Sequence, residues 1–315
     1  MNEPKGKPEP EFALPATVNW MASLRAACSE EKLNFNNCCV YYNSNFKRRN
    51  LEELQLNSIY EQLFLSLNYL SGIDFLRQSK NPSDVARMGI LSWYYGVYNA
   101  ASAMICARDG SLQETHERTA RQWYSQIVCN ELALRPFDAN ISSLVSFNIK
   151  REVDNYRGSS SGSLKKKLST DGDINGVLAE YISGTATWYR SRSEEKIRGG
   201  KEFSALGVEN FRTKAARNLR DKALEKKSIG FLHQAYRYRG KANYREALFL
   251  AYGKTANSIM SEFIDDLFFV LFAFISMSGA YCALSMGATD WNAFIEDVKA
   301  NSAFSYNVDQ VWQKR

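Results

Sequence analysis

Histidine is scarce in this chain of 315 residues, which contains only two, His116 and His233. Two imidazoles are too few for a histidine-rich zinc site. Any histidine-dependent catalysis must therefore use one of them, or one from each of two chains. The six cysteines include no Cys-x-x-Cys pair, which excludes a zinc ribbon. We expect neither a metal ion nor another cofactor.

Proline is also scarce, with six residues, and the chain has no glycine fingerprint for a dinucleotide. Hydrophobic residues make up 45% of the chain, which is ordinary for a globular protein. The first residues, MNEPKGKPEPEF, are polar and lack the apolar run of a signal peptide. With cysteines that form no regular pattern, this start predicts a cytoplasmic protein with reduced thiols.

Hydrophobic periodicity and capping signals predict an all-α protein with few strands. A stripe of leucines from Leu54 to Leu70 predicts a first long helix. The sequence Asn81-Pro82 predicts the start of a central apolar helix, which Gly110 should end. Further helices are predicted over residues 114–133, 174–189, 203–227, 228–238, 244–265 and 291–299.

Changes in composition divide the chain into four segments. Residues 1–50 are a tail and lead-in, of which the first 15 residues are loose. Residues 51–130 and 228–315 are the two halves of a helical bundle, and residues 131–227 are a basic insertion that contains Gly and Ser. Between residues 150 and 227 there are 18 Lys and Arg against 11 Asp and Glu, an excess of 7 that exceeds the chain's +6. The basic character therefore belongs to the insertion.

An uncharged stretch over residues 267–289 is long enough to span a bilayer. Its flanks are acidic and carry no basic anchor, and it contains three serines and two glycines. We interpret it as a buried central helix, or as two helices broken near Ser278-Gly279. Membrane insertion is the alternative.

Two separated segments carry the most specific pattern in the sequence. The first is the run YYGVYNAASAM, which begins at Tyr94 and is followed by His116. The second is RGKANY, from Arg239 to Tyr244. In their residue types and order, these segments resemble the HEPN domain family, the helical domain of many prokaryotic toxin–antitoxin and defence proteins. The matched elements cover about a third of the chain.

The resemblance implies a helical bundle that often dimerises and, in active members, a metal-independent ribonuclease. Those members use an Arg and a His separated by four to six residues. The His moves the proton of the 2′-hydroxyl, and the Arg stabilises the charge of the phosphorane. The closest spacing here is Lys227 before His233, with lysine in the place of arginine. The catalytic candidates are His116, His233, Lys227, Arg118 and Arg121.

Basic residues beside aromatic ones predict binding to a single strand of nucleic acid. Bases stack on aromatic rings, while phosphates pair with Arg and Lys. The candidates for this binding are Lys165, Lys166, Lys167, Arg190, Arg192, Arg198, Arg237 and Arg239.

We therefore expect a HEPN-like bundle interrupted by a basic insertion, with an RNA-directed function in a prokaryotic defence or toxin–antitoxin system. It is either a metal-independent endoribonuclease or a non-catalytic subunit for assembly or nucleic-acid binding. The expected partners are RNA or another nucleic acid, and a second copy or a system partner in a homodimer or hetero-oligomer. A membrane-acting effector that uses residues 267–289 is the third interpretation.

Overall fold

The computed structural model describes residues 10–45, 49–243, 257–304 and 306–315, and this part of the chain confirms the all-α prediction. Its helices are α1 (Pro10–Glu30), α2 (Phe35–Asn45), α3 (Glu53–Leu76), α4 (Pro82–Asp109), α5 (His116–Gln122), α6 (Ser146–Arg157), α7 (Ile174–Arg198), α8 (Lys201–Ser204), α9 (Lys214–Glu225), α10 (Phe231–Asn243), α11 (Asn257–Met286) and α12 (Ala288–Asn301). Two short strands, β1 (Asn140–Ile141) and β2 (Ile229–Gly230), form an antiparallel pair.

The prediction of a loose tail through residue 15 is wrong, because α1 begins at Pro10. This helix buries Trp20 and Met21 completely. The Trp20 ring stacks on Tyr181 of α7, with 4.0 Å between the ring centroids. Burial of large apolar side chains therefore holds α1 in the body of the protein, at about 1.5–3 kcal/mol for each side chain.

Helices α3, α4 and α11 form the centre of the fold. In α3 the leucine stripe faces the core from Ile59 to Leu70, but Leu54 at its start is 65% exposed. As predicted, α4 starts at Pro82 and ends before Gly110, whose φ of 80° suits glycine. The predicted first helix and the central helix are therefore both present.

The apolar stretch 267–289 lies almost entirely in α11, a single helix with no break at Ser278-Gly279. Within the described residues, α11 is the one helix long and apolar enough to cross a membrane, and 89% of its most apolar window is buried inside the protein. Helices α2, α3, α4 and α1 pack around it. This burial is that of a central core helix. The predicted helix over residues 244–265 lies mostly outside the described residues.

Four local predictions need correction. The helix predicted over residues 114–133 is an α-helix only to Gln122, and it continues as a π-helical turn and a 3₁₀ turn to Asn130. The helix predicted over residues 203–227 is two helices, α8 and α9. Helix α7 runs nine residues further than predicted, to Arg198, and α6 lies where weak periodicity predicted no helix.

The segment 131–227 packs on the rest of the chain through α7, which contacts α1 and α10. Ile174, Leu178 and Tyr181 of α7 belong to the main hydrophobic core. A second, smaller core on the other side of α7 joins α6, α9 and the strand pair. The segment is therefore helical and packs on α1 of the lead-in and on α10 of the second half of the bundle. It supplies two walls of the site described next.

Candidate nucleic-acid interface

Helices α5, α7, α9 and α10 surround a cleft of about 680 Å³. We call it the basic cleft. It brings together four of the five catalytic candidates, which lie far apart in the sequence: His116, Arg121, Lys227 and His233. Of the nucleic-acid-binding candidates, Arg192 lines it as well. β2 and α10, which follow each other in the chain, both contact α5, so that both histidines line the same cleft.

The charge of the basic cleft is strongly positive. Six basic side chains line it against one carboxylate, that of Glu117. The six are Arg121, Arg192, Lys196, Lys222, Lys226 and Lys227. None of them lies within 4.0 Å of a carboxylate of the described residues. Outside the cleft lining, Arg190 pairs with Glu194 at 2.9 Å and Arg220 with Asp221 at 2.8 Å. The cleft thus collects six cations that have no ion-pair partner among the described residues.

The positive charge of the cleft affects the pKa of Lys227. Its Nζ donates a hydrogen bond to Ser193 Oγ at 3.0 Å. Burial lowers the pKa of Lys227, and the neighbouring charges of Lys196 and Arg121 lower it further, whereas Glu117 raises it. A bound anion would relieve this repulsion, so the cleft is suited to a ligand with several negative charges.

His116 is half-buried at the first position of α5, on the edge of the basic cleft. Its Nδ1 lies 2.8 Å from the Tyr94 hydroxyl, and its Nε2 lies 3.4 Å from Arg239 Nη1. A guanidinium can only donate, so Nε2 carries the lone pair and Nδ1–H donates to Tyr94. Burial lowers the pKa of His116, and the charge of Arg239 lowers it further. His116 is therefore neutral at pH 7, with its accepting nitrogen beside a cation.

Among the residues that the structure describes, Arg239 is held by aromatic side chains and not by a carboxylate. Its Cζ lies 4.9 Å from the centroid of the Tyr94 ring and 4.8 Å from that of Tyr236. Its Nη1 also donates to the Tyr95 hydroxyl at 3.3 Å. Cation–π contacts fix the guanidinium while leaving its positive charge uncompensated. The two sequence segments of the HEPN resemblance, around Tyr94 and Arg239, therefore meet at His116.

His233 has a different environment. It is 4% exposed, and its Nδ1 accepts the backbone N–H of Gly230 at 3.1 Å. The edge of its ring meets Tyr189 with 5.2 Å between the centroids. Burial lowers the pKa of His233 to about 4, and Arg121 contributes to the shift. The imidazole of His233 holds the backbone of Gly230, which directly precedes α10. Its Nδ1 is therefore not free to accept a proton from a ligand.

An aromatic surface lies beside the cations. Trp188 and Tyr189 line the cleft from α7, and Tyr236 lines it from α10. The Arg192 guanidinium lies over the Trp188 ring, 4.7 Å from its centroid. Stacked aromatic and guanidinium planes are the surfaces on which unpaired bases bind.

The remaining candidates lie away from the lining of the cleft. Arg118 is exposed on α5. Lys165, Lys166 and Lys167 are exposed between α6 and α7, and Lys167 pairs with Glu262 at 3.2 Å. Arg198 is exposed at the end of α7. Arg190 is paired with Glu194, and Arg237 donates to Thr185 Oγ1 at 3.2 Å. The structure therefore does not place these side chains in the same site as His116.

The sequence candidates missed three cations of the cleft: Lys196 of α7, Lys222 of α9 and Lys226, which directly follows α9. Lys222 and Lys226 are four residues apart, and Leu219 and Ala223 of α9 also line the cleft. Residues at this spacing share one helical face. The amphipathic spacing within α9 indicates this cationic face. A single predicted helix over residues 203–227 obscures that spacing.

No group of three or more His, Cys, Asp or Glu side chains is placed to hold a metal ion within the ranges that the structure describes. Comparisons with protein-family profiles, with curated proteins and with solved structures return no match. The function is therefore argued from the geometry of the basic cleft.

Proposed function

We propose that this chain is an RNA-directed protein, that the basic cleft binds single-stranded RNA, and that it cleaves the RNA without a metal ion. One observation carries the proposal. Four candidates that are scattered between residues 116 and 233 line a single cleft beside cations with no carboxylate partner among the described residues. The resemblance to HEPN proteins adds the expectation of a prokaryotic defence or toxin–antitoxin setting.

The binding step follows from charge and aromatic surface. Phosphates of the RNA backbone pair with the lysines and arginines of the cleft, and an unpaired base stacks beside Trp188 or Arg192. Each contact replaces repulsion between like charges with attraction. The 2′-hydroxyl of the ribose lies at His116 in this arrangement.

The chemical step is proton transfer at His116. Its neutral Nε2 accepts the proton of the 2′-hydroxyl, and the resulting alkoxide attacks the adjacent phosphorus. The bond from phosphorus to the 5′-oxygen breaks and a 2′,3′-cyclic phosphate forms. The leaving 5′-oxygen takes a proton from water, and the His116 imidazolium returns its proton to the solvent. Arg239, 3.4 Å from Nε2, keeps the imidazole neutral before the reaction and stabilises the charge on the phosphorane oxygens through its donors. Tyr94 keeps the ring in the required tautomer through Nδ1–H.

A specific observation also favours the second candidate, a nucleic-acid-binding subunit without cleavage. Both ring nitrogens of His116 already have partners, Tyr94 and Arg239. In this case the aromatic cluster fixes α5 against α4 and α10, and the basic cleft binds RNA that it does not cut.

The test is cleavage of a labelled single-stranded RNA by purified protein in EDTA. His116→Asn keeps an amide donor for Tyr94 and removes the proton-accepting Nε2. We expect this change to reduce the cleavage rate about 10²–10⁴-fold, the usual contribution of a general base. His233→Asn is the matched control, because its amide oxygen can still accept the Gly230 N–H. It should cut RNA at close to the wild-type rate.

Two results would count against cleavage at His116. Binding of RNA without EDTA-resistant cleavage would favour the non-catalytic subunit. Loss of cleavage in His233→Asn, with His116→Asn fully active, would contradict the role given to His116.

A further inference from the structure

Among the residues that the structure describes, Glu117 has the one carboxylate that lines the basic cleft. It belongs to the first turn of α5, directly after His116, and its side chain is exposed. Six cations line the same cleft, yet within the described ranges the carboxylate has neither an ion-pair partner nor a hydrogen-bond donor. An ionised carboxylate only accepts hydrogen bonds, with about four lone pairs on its two oxygens. All of these acceptors are therefore open to a ligand.

A phosphate group does not suit this carboxylate, because like charges repel. The backbone of a bound RNA pairs instead with the lysines and arginines of the cleft. A free carboxylate binds groups that donate hydrogen bonds, and in a nucleotide of the strand these are the ribose hydroxyl and the N–H groups of the base. The proposed reaction uses the 2′-hydroxyl at His116. The edge of the base is then the group that remains for Glu117.

The aromatic wall of the cleft lies within the electrostatic reach of Glu117. Trp188 and Tyr189 of α7 form this wall. Burial raises the pKa of Tyr189, and the neighbouring Tyr236 and the charge of Glu117 raise it further. A base that stacks on the wall is held by its face, so its edge stays free for hydrogen bonds. The rings of α7 and the carboxylate of α5 therefore suit the face and the edge of one base.

The bases of RNA differ in the donors that they present side by side. The Watson–Crick edge of guanine has two adjacent donors, N1–H and the exocyclic amino group, which match the two oxygens of a carboxylate. Adenine and cytosine place a ring nitrogen acceptor beside their amino group, and uracil places its N–H between two carbonyl oxygens. A carboxylate repels these acceptors. Guanine is therefore the base that a free carboxylate binds best.

We propose that Glu117 selects guanine in the basic cleft, by accepting hydrogen bonds from N1–H and the exocyclic amino group on its two carboxylate oxygens. The inference rests on the proposed function, because it concerns the nucleotide whose 2′-hydroxyl lies at His116. Glu117 directly follows His116 in α5, so the residue that reads the base is next to the residue that moves the proton. Cleavage therefore takes place on the 3′ side of guanine.

Fluorescence polarisation with short RNAs tests this inference on the wild-type protein. The RNAs are uridine strands with one central guanine, hypoxanthine or adenine base, a 3′ label, and 2′-fluoro groups that prevent cleavage. Hypoxanthine lacks only the exocyclic amino group of guanine, so it isolates one of the two hydrogen bonds. We expect the guanine RNA to bind about tenfold more tightly than the hypoxanthine RNA, because a hydrogen bond to a charged group is lost. The adenine RNA should bind no better than the hypoxanthine RNA.

Two variants assign the preference to its residue. Glu117→Gln keeps the size of the side chain but replaces one acceptor oxygen with a donor, so the preference for guanine over hypoxanthine should be lost. The same change removes a negative charge, so all three RNAs should bind more tightly. Glu114→Gln is the matched control, because it removes the same charge from an exposed residue outside the lining of the cleft. This control should keep the wild-type preference.

The outcomes separate the inference from the proposed function. Equal binding of the guanine and hypoxanthine RNAs by wild type would overturn the selection of guanine and leave RNA binding in place. Glu117 would then only stabilise the first turn of α5. A preference for guanine that persists in Glu117→Gln would contradict the role given to this residue. If wild type binds none of the RNAs, the proposed function is wrong, and so is the inference.

Discussion

The two histidines have different surroundings. His233 is buried, and its Nδ1 is used by the backbone N–H of Gly230. His116 is half-buried at the cleft, and its Nε2 faces a guanidinium that can only donate. Burial lowers both pKa values, and His116 is the more exposed of the two imidazoles.

The buried His233 predicts a pH dependence of stability. Its pKa is lowered to about 4 in the folded protein, from 6.5 in the unfolded chain. Between these values the unfolded chain binds a proton that the folded protein does not. The free energy of unfolding therefore decreases as the pH falls from about 6.5 to 4, by ~3 kcal/mol from this group. Chemical denaturation of wild type and His233→Asn across this range measures the contribution.

The comparison with His233→Asn is needed because another buried group changes the free energy of unfolding in the opposite direction as the pH falls. Burial raises the pKa of Asp266 to about 6, although Arg25 lowers it, so protonation of Asp266 stabilises the folded protein over part of the same range. Asp266 is present in both proteins and cancels in the difference. A stability difference that does not change with pH would contradict the buried, neutral state of His233.

At the scale of elements, the fold depends on close contacts of α11. Gly279 lies in the middle of α11, and a Cβ at this position would overlap the indole of Trp312. The Trp312 Nε1–H donates to the carbonyl of Ile275 at 3.1 Å, so the ring is held in place and cannot move aside at low cost. The C-terminal segment is thereby fixed to the central helix.

Gly279→Ala should therefore reduce the free energy of unfolding by ~1–3 kcal/mol, the usual cost of overpacking a core. Gly72→Ala in α3 is the matched control, because a Cβ there has no neighbour within 4 Å. This control should raise stability by ~0.5–1 kcal/mol, since alanine favours a helix over glycine. Thermal and denaturant unfolding measure both. Equal stability of Gly279→Ala and wild type would contradict the packing of Trp312 on α11.

Elements with strong local signals could be predicted from the sequence. The proline and glycine that delimit α4 lead to a helix with the expected bounds. The apolar run leads to the single helix α11, whose described part begins ten residues before the run, at Asn257. Helix α1 was missed because its prolines and early charges hide the apolar residues that reach the core only in the folded protein. The π-helical turn after Gln122 has no local signature, because tertiary packing of Trp123 determines it.

At the scale of the molecule, the site is assembled by topology, and sequence spacing did not reveal it. His116 and Arg239 are 123 residues apart in the chain, yet their nitrogens are 3.4 Å apart. The sequence pattern singled out both residues but not their contact. Lys165, Lys166 and Lys167 formed the most conspicuous basic run, and the structure places them outside the cleft. Charge density along a chain therefore does not identify the cations that share a cavity.

The long apolar helix α11 lies in the core of the molecule. Its most apolar window is 89% buried against neighbouring helices, so exposing α11 to lipid requires that those helices separate. Burial of this helix supplies the core on which α4 positions Tyr94 and Tyr95. The helix that suggested a membrane effector thus supports the candidate site.

The most direct test of the central claim is the affinity of one labelled single-stranded RNA, with 2′-fluoro groups, for two triple variants. Arg192→Ala/Lys222→Ala/Lys226→Ala removes three charges from the basic cleft. Lys165→Ala/Lys166→Ala/Lys167→Ala removes three charges outside it. We predict that the cleft variant binds about tenfold or more weakly than wild type at physiological salt, while the other variant changes about threefold or less. Equal losses in both variants, or a larger loss in the variant outside the cleft, would contradict RNA binding in the basic cleft.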